Sequence, residues 1–301
     1  MFSLSTSWNA SRHSSAAKLI DEIKSAGFDT VELGFTLPLK TVEEILKLKR
    51  RGEIKVSSLH NMCPLPVEIA PEKASPDYYS LSSTDDGERA MAVKVAMNTI
   101  DYAKMFDARA VVFHIGRVEM QGRTRELASL AGDKEKFESV KKEMVSARDA
   151  KKDPHMRQVI KSLEDIVPYA AKKGIAPAVE NRYYYREIPL MDEFEEIFRH
   201  FKTGELFYWH DVGHAEVFER LGFYGHLQLL SKFSSRLLGM HLHDIIGLID
   251  DHKAPGAGTF DFNVLKPYIS KDTIKVIEAH HPASIEDLRR GVEYLTKILG
   301  R

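Results

Sequence analysis

Eight times along this chain a short apolar run is followed by a longer stretch of helical period or a long connection, and that alternation constrains the fold more than any other feature. Phe2–Trp8 reads as a strand. Ser14–Ala26 reads as a helix, with Ala17, Leu19, Ile20 and Ile23 on one side and Gly27 stopping it. Further strands are expected at Thr30–Leu33, Ile54–His60, Ala110–His114, Ala176–Glu180, Glu205–His210, Leu237–His243 and Ile274–Glu278. Further helices are expected at Thr41–Arg51, Thr84–Phe106, Leu190–Phe201, Val217–Phe233 and Ser284–Leu299. Alternating βα units imply a parallel sheet. Eight of them in 301 residues imply an α/β fold, a single closed (β/α)8 TIM barrel spanning 1–301. Residues 117–173 are too long and too charged for one crossover. They are expected to form a helical insertion after strand 4, either a solvated excursion or a lid over the barrel mouth. The Pro-rich piece Cys63–Pro76 reads as a mouth loop, because its prolines cannot sit in central strands.

Composition narrows the class of protein. With 43% hydrophobic and 29% charged residues, the chain does not resemble a disordered, collagen-like or membrane-spanning sequence. A net charge of −1 supplies no global basic field for nucleic acid. A single cysteine, Cys63, rules out an intrachain disulfide and any cysteine-based zinc site. No apolar stretch reaches the roughly 18 residues needed to cross a bilayer. The N-terminus lacks a basic start followed by an apolar run. A cytoplasmic protein without a membrane partner is the expectation.

Buried barrel strands end in apolar residues unless the end does something. Here the third strand ends in His60, the fourth in His114 and the fifth in Glu180. The sixth ends at His210 and Asp211 and runs on to His214, the seventh ends in His241-Leu242-His243-Asp244, and the eighth in Glu278. Strand carboxyl ends converge on one mouth in a barrel, where active sites sit. Crowded carboxylates cannot all stay ionised without compensation, and a divalent cation supplies it. Ligation by His with Asp or Glu and no sulfur suits Zn²⁺, Mn²⁺, Fe²⁺ or Co²⁺. Taken singly, His60 and His114 read equally as hydrogen-bonded core residues, and Asp211-x-x-His214 and Asp250-x-His252 are common spacings. The repetition at the same place in successive units carries the argument. Of His241 and His243, one is expected to face the barrel interior, with turn geometry able to bring in both. His13, His155 and His200 are expected on surface helices or loops. The glycines of Pro255–Phe262 follow the seventh strand and lack a third glycine, so they read as a tight turn with Asp261 as helix cap rather than as a dinucleotide loop. Cys63 beside His60 reads as a small buried thiol before it reads as a nucleophile.

Several segments resemble the xylose isomerase-like barrels, a superfamily of sugar epimerases and isomerases that also includes endonuclease IV. They are Val-Glu-Asn-Arg at 179–182, His-Asp-Val-Gly-His at 210–214, His-Leu-His-Asp at 241–244, the run from Asp250 through His252 to Pro255-Gly-Ala-Gly-Thr-Phe-Asp-Phe262, and Val-Ile-Glu-Ala at 276–279. The resemblance implies two site designs. In the sugar enzymes one metal would be held by Glu180, Asp211, His243 and Glu278, with His214 contacting substrate. In endonuclease IV three zinc ions would be held by His60, His114, Glu180, Asp211, His214, His241, Asp250, His252 and Glu278. The chain's opening and its His-Leu-His-Asp depart from the endonuclease pattern, and no Arg- or Lys-rich loop stands out near the strand ends. The expected function is a divalent-metal-dependent sugar or sugar-phosphate isomerase or epimerase working through an enediolate, with zinc or manganese as cofactor. Glu180 and Glu278 would move the proton. His214, Arg182, His60 and Trp8 would bind substrate. The alternative is a trinuclear zinc phosphodiesterase acting on abasic DNA. A third expectation is a sugar-holding barrel that has lost turnover.

Overall fold

The computed structural model describes residues 2–249 and 251–300. Eight parallel strands close into a barrel in chain order. They are β1 (Ser3–Ser5), β2 (Thr30–Leu33), β3 (Lys55–His60), β4 (Ala110–Phe113), β5 (Ala176–Glu180), β6 (Phe207–Asp211), β7 (Leu237–Leu242) and β8 (Ile274–Ile277). The first and last strands pair through Ser3 with Val276 and Leu4 with Ile277, which leaves no open edge in the ring. The helices are α1 (Ala16–Ser25), α2 (Leu39–Arg50), α3 (Asp86–Met105), α4 (Thr124–Ser129), α5 (Lys134–Asp149), α6 (Lys152–Lys173), α7 (Met191–His200), α8 (Val212–Arg220), α9 (His226–Phe233) and α10 (Ile285–Leu299). No helix among the described residues is long and apolar enough to cross a membrane.

The two-residue period of the strands divides each one between two environments. Val111, Phe113, Val179, Tyr208, Met240, Leu242 and Ile277 belong to the large core shared with the helices. Ala110, Val112, Ala178, Trp209, Ile274 and Val276 form a separate apolar cluster, the filling of the barrel itself. Two residues further along each of those inward series come His114, Glu180, Asp211 and Glu278. The barrel is therefore apolar at its floor and ionisable at its mouth. Trp209 fills the floor only because Gly239 faces it. A Cβ on Gly239 would collide with the indole ring.

Three expectations need correction. The first strand stops at Ser5, and Thr6–Trp8 form a 3-10 turn. Ser5 Oγ accepts from the Ser7 N–H at 3.3 Å and so competes with the ladder. The single helix expected over Val217–Phe233 is two helices, α8 and α9, parted at 221–225, where Gly222 takes a φ of 69°. His155 is buried rather than superficial. Its Nδ1 lies 2.8 Å from the Ser82 carbonyl, and its Nε2 accepts from the Glu119 N–H at 3.2 Å, because α6 packs on α3 and covers that loop.

The segment after β4 is helical, as its charge and length imply. Its last helix, α6, lies against α3 and leads into β5, so it is the ordinary crossover of that unit. The excess is α4 and α5. They build a satellite core in which Leu127, Val140 and Met144 meet Tyr185, Val217, Phe218, Leu221 and Ile245. Buried Arg148 of α5 forms a two-pronged pair with Glu193 in the first turn of α7, and its Nη2 donates to the Glu187 carbonyl at 2.9 Å. The excursion is thereby fixed to the β5–α7 connection at the side of the mouth.

Candidate active site

Glu180 is the hub of the mouth. It closes β5 and is 1% exposed. Its Oε1 lies 2.6 Å from His241 Nδ1, and its Oε2 lies 2.7 Å from His114 Nε2, 2.9 Å from Arg182 Nη1 and 3.8 Å from His60 Nε2. His241 Nδ1 also lies 3.1 Å from Glu278 Oε2 and 3.5 Å from Asp211 Oδ2. Asp211 closes β6 and caps α8 by accepting the His214 N–H at 2.7 Å. His243 Nε2 reaches Asp211 Oδ1 at 3.0 Å. His252 stacks between His243 and His280, with ring centroids 4.1 and 3.8 Å away, and its Nε2 lies 4.0 Å from Glu278. His252 holds a φ of 43°, a left-handed conformation of the kind that collects at functional sites.

Both His241 and His243 are fully buried inside the mouth, which corrects the expectation of a single inward histidine. Residues two apart on a strand share a face. They differ in depth. The deeper His241 joins Glu180, Asp211 and Glu278 in a group whose ligand atoms lie within 4.8 Å of one another. His243 groups instead with His252 and Glu278, and a further group contains His60, His114 and Glu180. Asp250 lies outside the described residues.

Trp8 does not join the site. It is 1% exposed, and its indole N–H donates to the Ala283 carbonyl at 2.7 Å. The mouth opens into a cavity of about 240 Å³, lined among the described residues by Phe35, His60, Asp77, His114, Glu180, Arg182, Tyr183, Tyr184, Glu187, His214, His252, Glu278 and His280 together with Ser75 and Pro76. Cys63 is buried, and burial pushes its thiol up, away from a reactive thiolate.

Sequence reasoning missed three carboxylates. Glu32 of β2 is fully buried, with Oε1 2.9 Å from His241 Nε2 and Oε2 accepting from Ser58 Oγ at 2.7 Å. Its signal was a carboxylate inside the apolar run Thr30–Leu33. Asp77 lies 3.6 Å from His114 Nδ1, and Glu187 lies 3.2 Å from Arg182 Nη2. Both come from loops, where no period marks an inward residue.

The charge balance is uneven. Burial raises the Glu180 carboxyl, but His241 and His114 outweigh it and hold the acid well below its ordinary range. Asp211 is likewise held low against burial, by His214 and His243. Burial opposes a charge on His241, yet Glu278, Glu32 and Glu180 raise it well above a free imidazole. Glu278 is pushed up to about 8, first by burial and then by the other carboxylates, against the pull of His241. The polypeptide alone thus balances its carboxylates with protons. Three buried carboxylates and an imidazole, ringed by further histidines, are donors that suit a divalent cation of the zinc or manganese kind.

Fold and site together define a (β/α)8 barrel whose strand ends gather carboxylates and imidazoles at one mouth. The chain belongs to the xylose isomerase-like TIM barrel family, whose family model matches residues 20–298. Two curated relatives are uncharacterized proteins. One, from Methanocaldococcus jannaschii, is 29% identical over 145 residues, 48% of this chain and 54% of that protein. The other, from Sinorhizobium fredii, is 23% identical over 219 residues, 73% of this chain and 60% of that protein. The matches therefore span little more than half the length of these relatives. Among solved structures, a D-tagatose 3-epimerase-like protein is 22% identical with a TM-score of 0.66, covering 99% of this chain and 96% of that one. D-psicose 3-epimerase with D-tagatose, from Clostridium cellulolyticum H10, is 12% identical with a TM-score of 0.68, covering 100% and 99%. At these identities the structures establish the shared fold.

Proposed function

We propose that this chain is a divalent-metal-dependent sugar or sugar-phosphate isomerase or epimerase that works by proton transfer through an enediolate. The observation that carries the reading is that Glu180 and Glu278 both belong to one buried four-residue group and also line the cavity above it. Structural neighbours named as sugar 3-epimerases support the same class.

Glu180, Asp211, His241 and Glu278 would hold the metal. When bound, it would act as a Lewis acid on adjacent carbonyl and hydroxyl oxygens and so acidify the C–H of the hydroxyl-bearing carbon next to the carbonyl. One of the two glutamates takes the proton from carbon and one returns it; transfer on the same or the opposite face separates isomerase from epimerase. His214 has its Nδ1 2.9 Å from the Asn181 carbonyl, which fixes the ring at the cavity wall, where it and His60 meet sugar hydroxyls. Arg182 holds Glu180 and His114 in place. The test is Glu180→Gln with metal loaded. Turnover of ketoses should fall by at least a hundredfold, and normal turnover would rule out the acid–base role.

One observation favours the trinuclear phosphodiesterase: three adjacent groups of potential ligands surround Glu180 and Glu278. Another opposes it. Arg182 Nη1 touches both His114 Nε2 and Glu180 Oε2, so a guanidinium already sits where those two residues would meet an ion. Elemental analysis separates the readings, with one metal per chain expected for the sugar enzyme and three for the nuclease. Nicking of abasic duplex would be the nuclease's second signature.

A further inference from the structure

We infer that the substrate class of this mouth is an uncharged, unphosphorylated sugar; the inference rests on the isomerase or epimerase reading and narrows it. Four carboxylates line the cavity, those of Asp77, Glu180, Glu187 and Glu278, against one guanidinium, that of Arg182. No lysine is among the described lining residues. A bound divalent cation would still leave the fixed negative charges in excess.

Arg182 is not available as an anion fork. It is 6% exposed, with Nη1 2.9 Å from Glu180 and Nη2 3.2 Å from Glu187, and Asp77 and Asp211 also act on its charge. A phosphate could gain the guanidinium only by leaving a buried carboxylate without its partner. Phosphate sites also use helix N-termini. That of α8, which follows β6 directly at this mouth, is capped by Asp211. Arg125 lies over the Tyr184 ring, 5.8 Å from its centroid, but it is exposed and outside the described lining.

What the cavity offers suits a polyol. Tyr183 stacks with His214 at 5.0 Å and meets Tyr184 at 4.1 Å, and Phe35 packs on His60 at 5.5 Å. Aromatic faces cover the C–H faces of a sugar, and carboxylates and imidazoles satisfy its hydroxyls. The volume of about 240 Å³ lies below the roughly 300–1,000 Å³ of pockets for drug-sized ligands, which points to a monosaccharide.

The experiment uses the full chain loaded with Mn²⁺ or Zn²⁺. Turnover and calorimetric affinity are measured for D-fructose, D-tagatose, D-ribulose and D-xylulose and for their terminal phosphates. At least a tenfold advantage of the free ketoses in kcat/KM and in affinity is expected. Glu187→Gln, which removes one partner of Arg182, should narrow that gap at least threefold. Phosphates that bind or react as well as the free sugars would overturn the inference, as would a gap unmoved by Glu187→Gln. Free ketoses that bind selectively without reacting would uphold it while sinking the isomerase reading. Turnover of phosphates alone would do the reverse, and binding of neither class overturns the inference.

Discussion

His241 is wedged among four carboxylates, Glu32, Glu180, Asp211 and Glu278, at 2.6 to 3.5 Å. Three of them share with it the group that could hold a metal, and Glu32 lies against the far nitrogen of the ring. That arrangement fixes the tautomer and aim of a ligand, and outer partners of this kind are worth about 10–100-fold in metal affinity. Glu32→Gln is therefore expected to weaken metal binding about 10–100-fold in chelator competition, without loss of fold. His241→Ala should abolish stoichiometric binding, whereas His243→Ala should leave it measurable but weakened. Equal effects of the two histidine variants would show that depth does not separate their roles. Glu180, Asp211 and Glu278 were legible in the sequence because each closes an apolar strand. Glu32 was not, because a carboxylate inside a strand takes its meaning from the register of β2 against Ser58 and from the distant β7.

Elements bring these residues together through close approaches that larger side chains would block. Gly213 lies in the first turn of α8, and a Cβ there would collide with the His243 imidazole. Gly213→Ala should push His243 off Asp211 and weaken metal binding, read by calorimetry, while far-UV circular dichroism stays unchanged. Gly239→Ala acts at the floor of the barrel against Trp209, where overpacking typically costs about 1–3 kcal/mol. At the flank, Arg148→Met strips Glu193 of its buried partner, a change that typically costs about 3–5 kcal/mol. Urea unfolding checks both, and an Arg148→Met protein as stable as the parent would mean that α5 is not held by this pair. The charged character of this excursion was visible in the sequence, but its attachment to α7 was not, since Arg148 and Glu193 are 45 residues apart.

For the whole molecule, the proposed metal would be linked to the fold through protons. Glu278 titrates near 8 in the polypeptide alone, above the ordinary 4.5, and His241 is raised well above 6.5. Both folded-state values exceed the unfolded ones, so at these two groups the metal-free fold holds protons that the unfolded chain has released, and their contribution to stability falls as pH rises from about 4.5 to 8 for Glu278 and from about 6.5 upward for His241. A bound metal would replace those protons, so its affinity should rise with pH over the same range. A cation at a hundred times its Kd adds about 2.7 kcal/mol. At about 2.1 cal/mol/K of unfolding entropy per residue, that corresponds to roughly 4 °C in Tm for a chain of 301 residues. Chelation at pH 8 should therefore lower Tm by about that amount, and by less at pH 6. Scanning calorimetry with and without chelator at both pH values checks the sign; a gap that shrinks as pH rises would contradict it.

The sequence by itself determined the closed eight-unit barrel, because strand and helix periods are local properties written in neighbouring residues. It also marked the mouth, because His60, His114, Glu180, Asp211 and Glu278 interrupt apolar runs at equivalent places. Only the tertiary structure decided which of His241 and His243 lies deep, that Glu32 completes its setting, that Trp8 is spent on a contact with Ala283, and that Arg182 is enclosed by carboxylates. Those outcomes depend on barrel closure and on loops from separate units meeting in space, and no spacing along one segment encodes a distance between two.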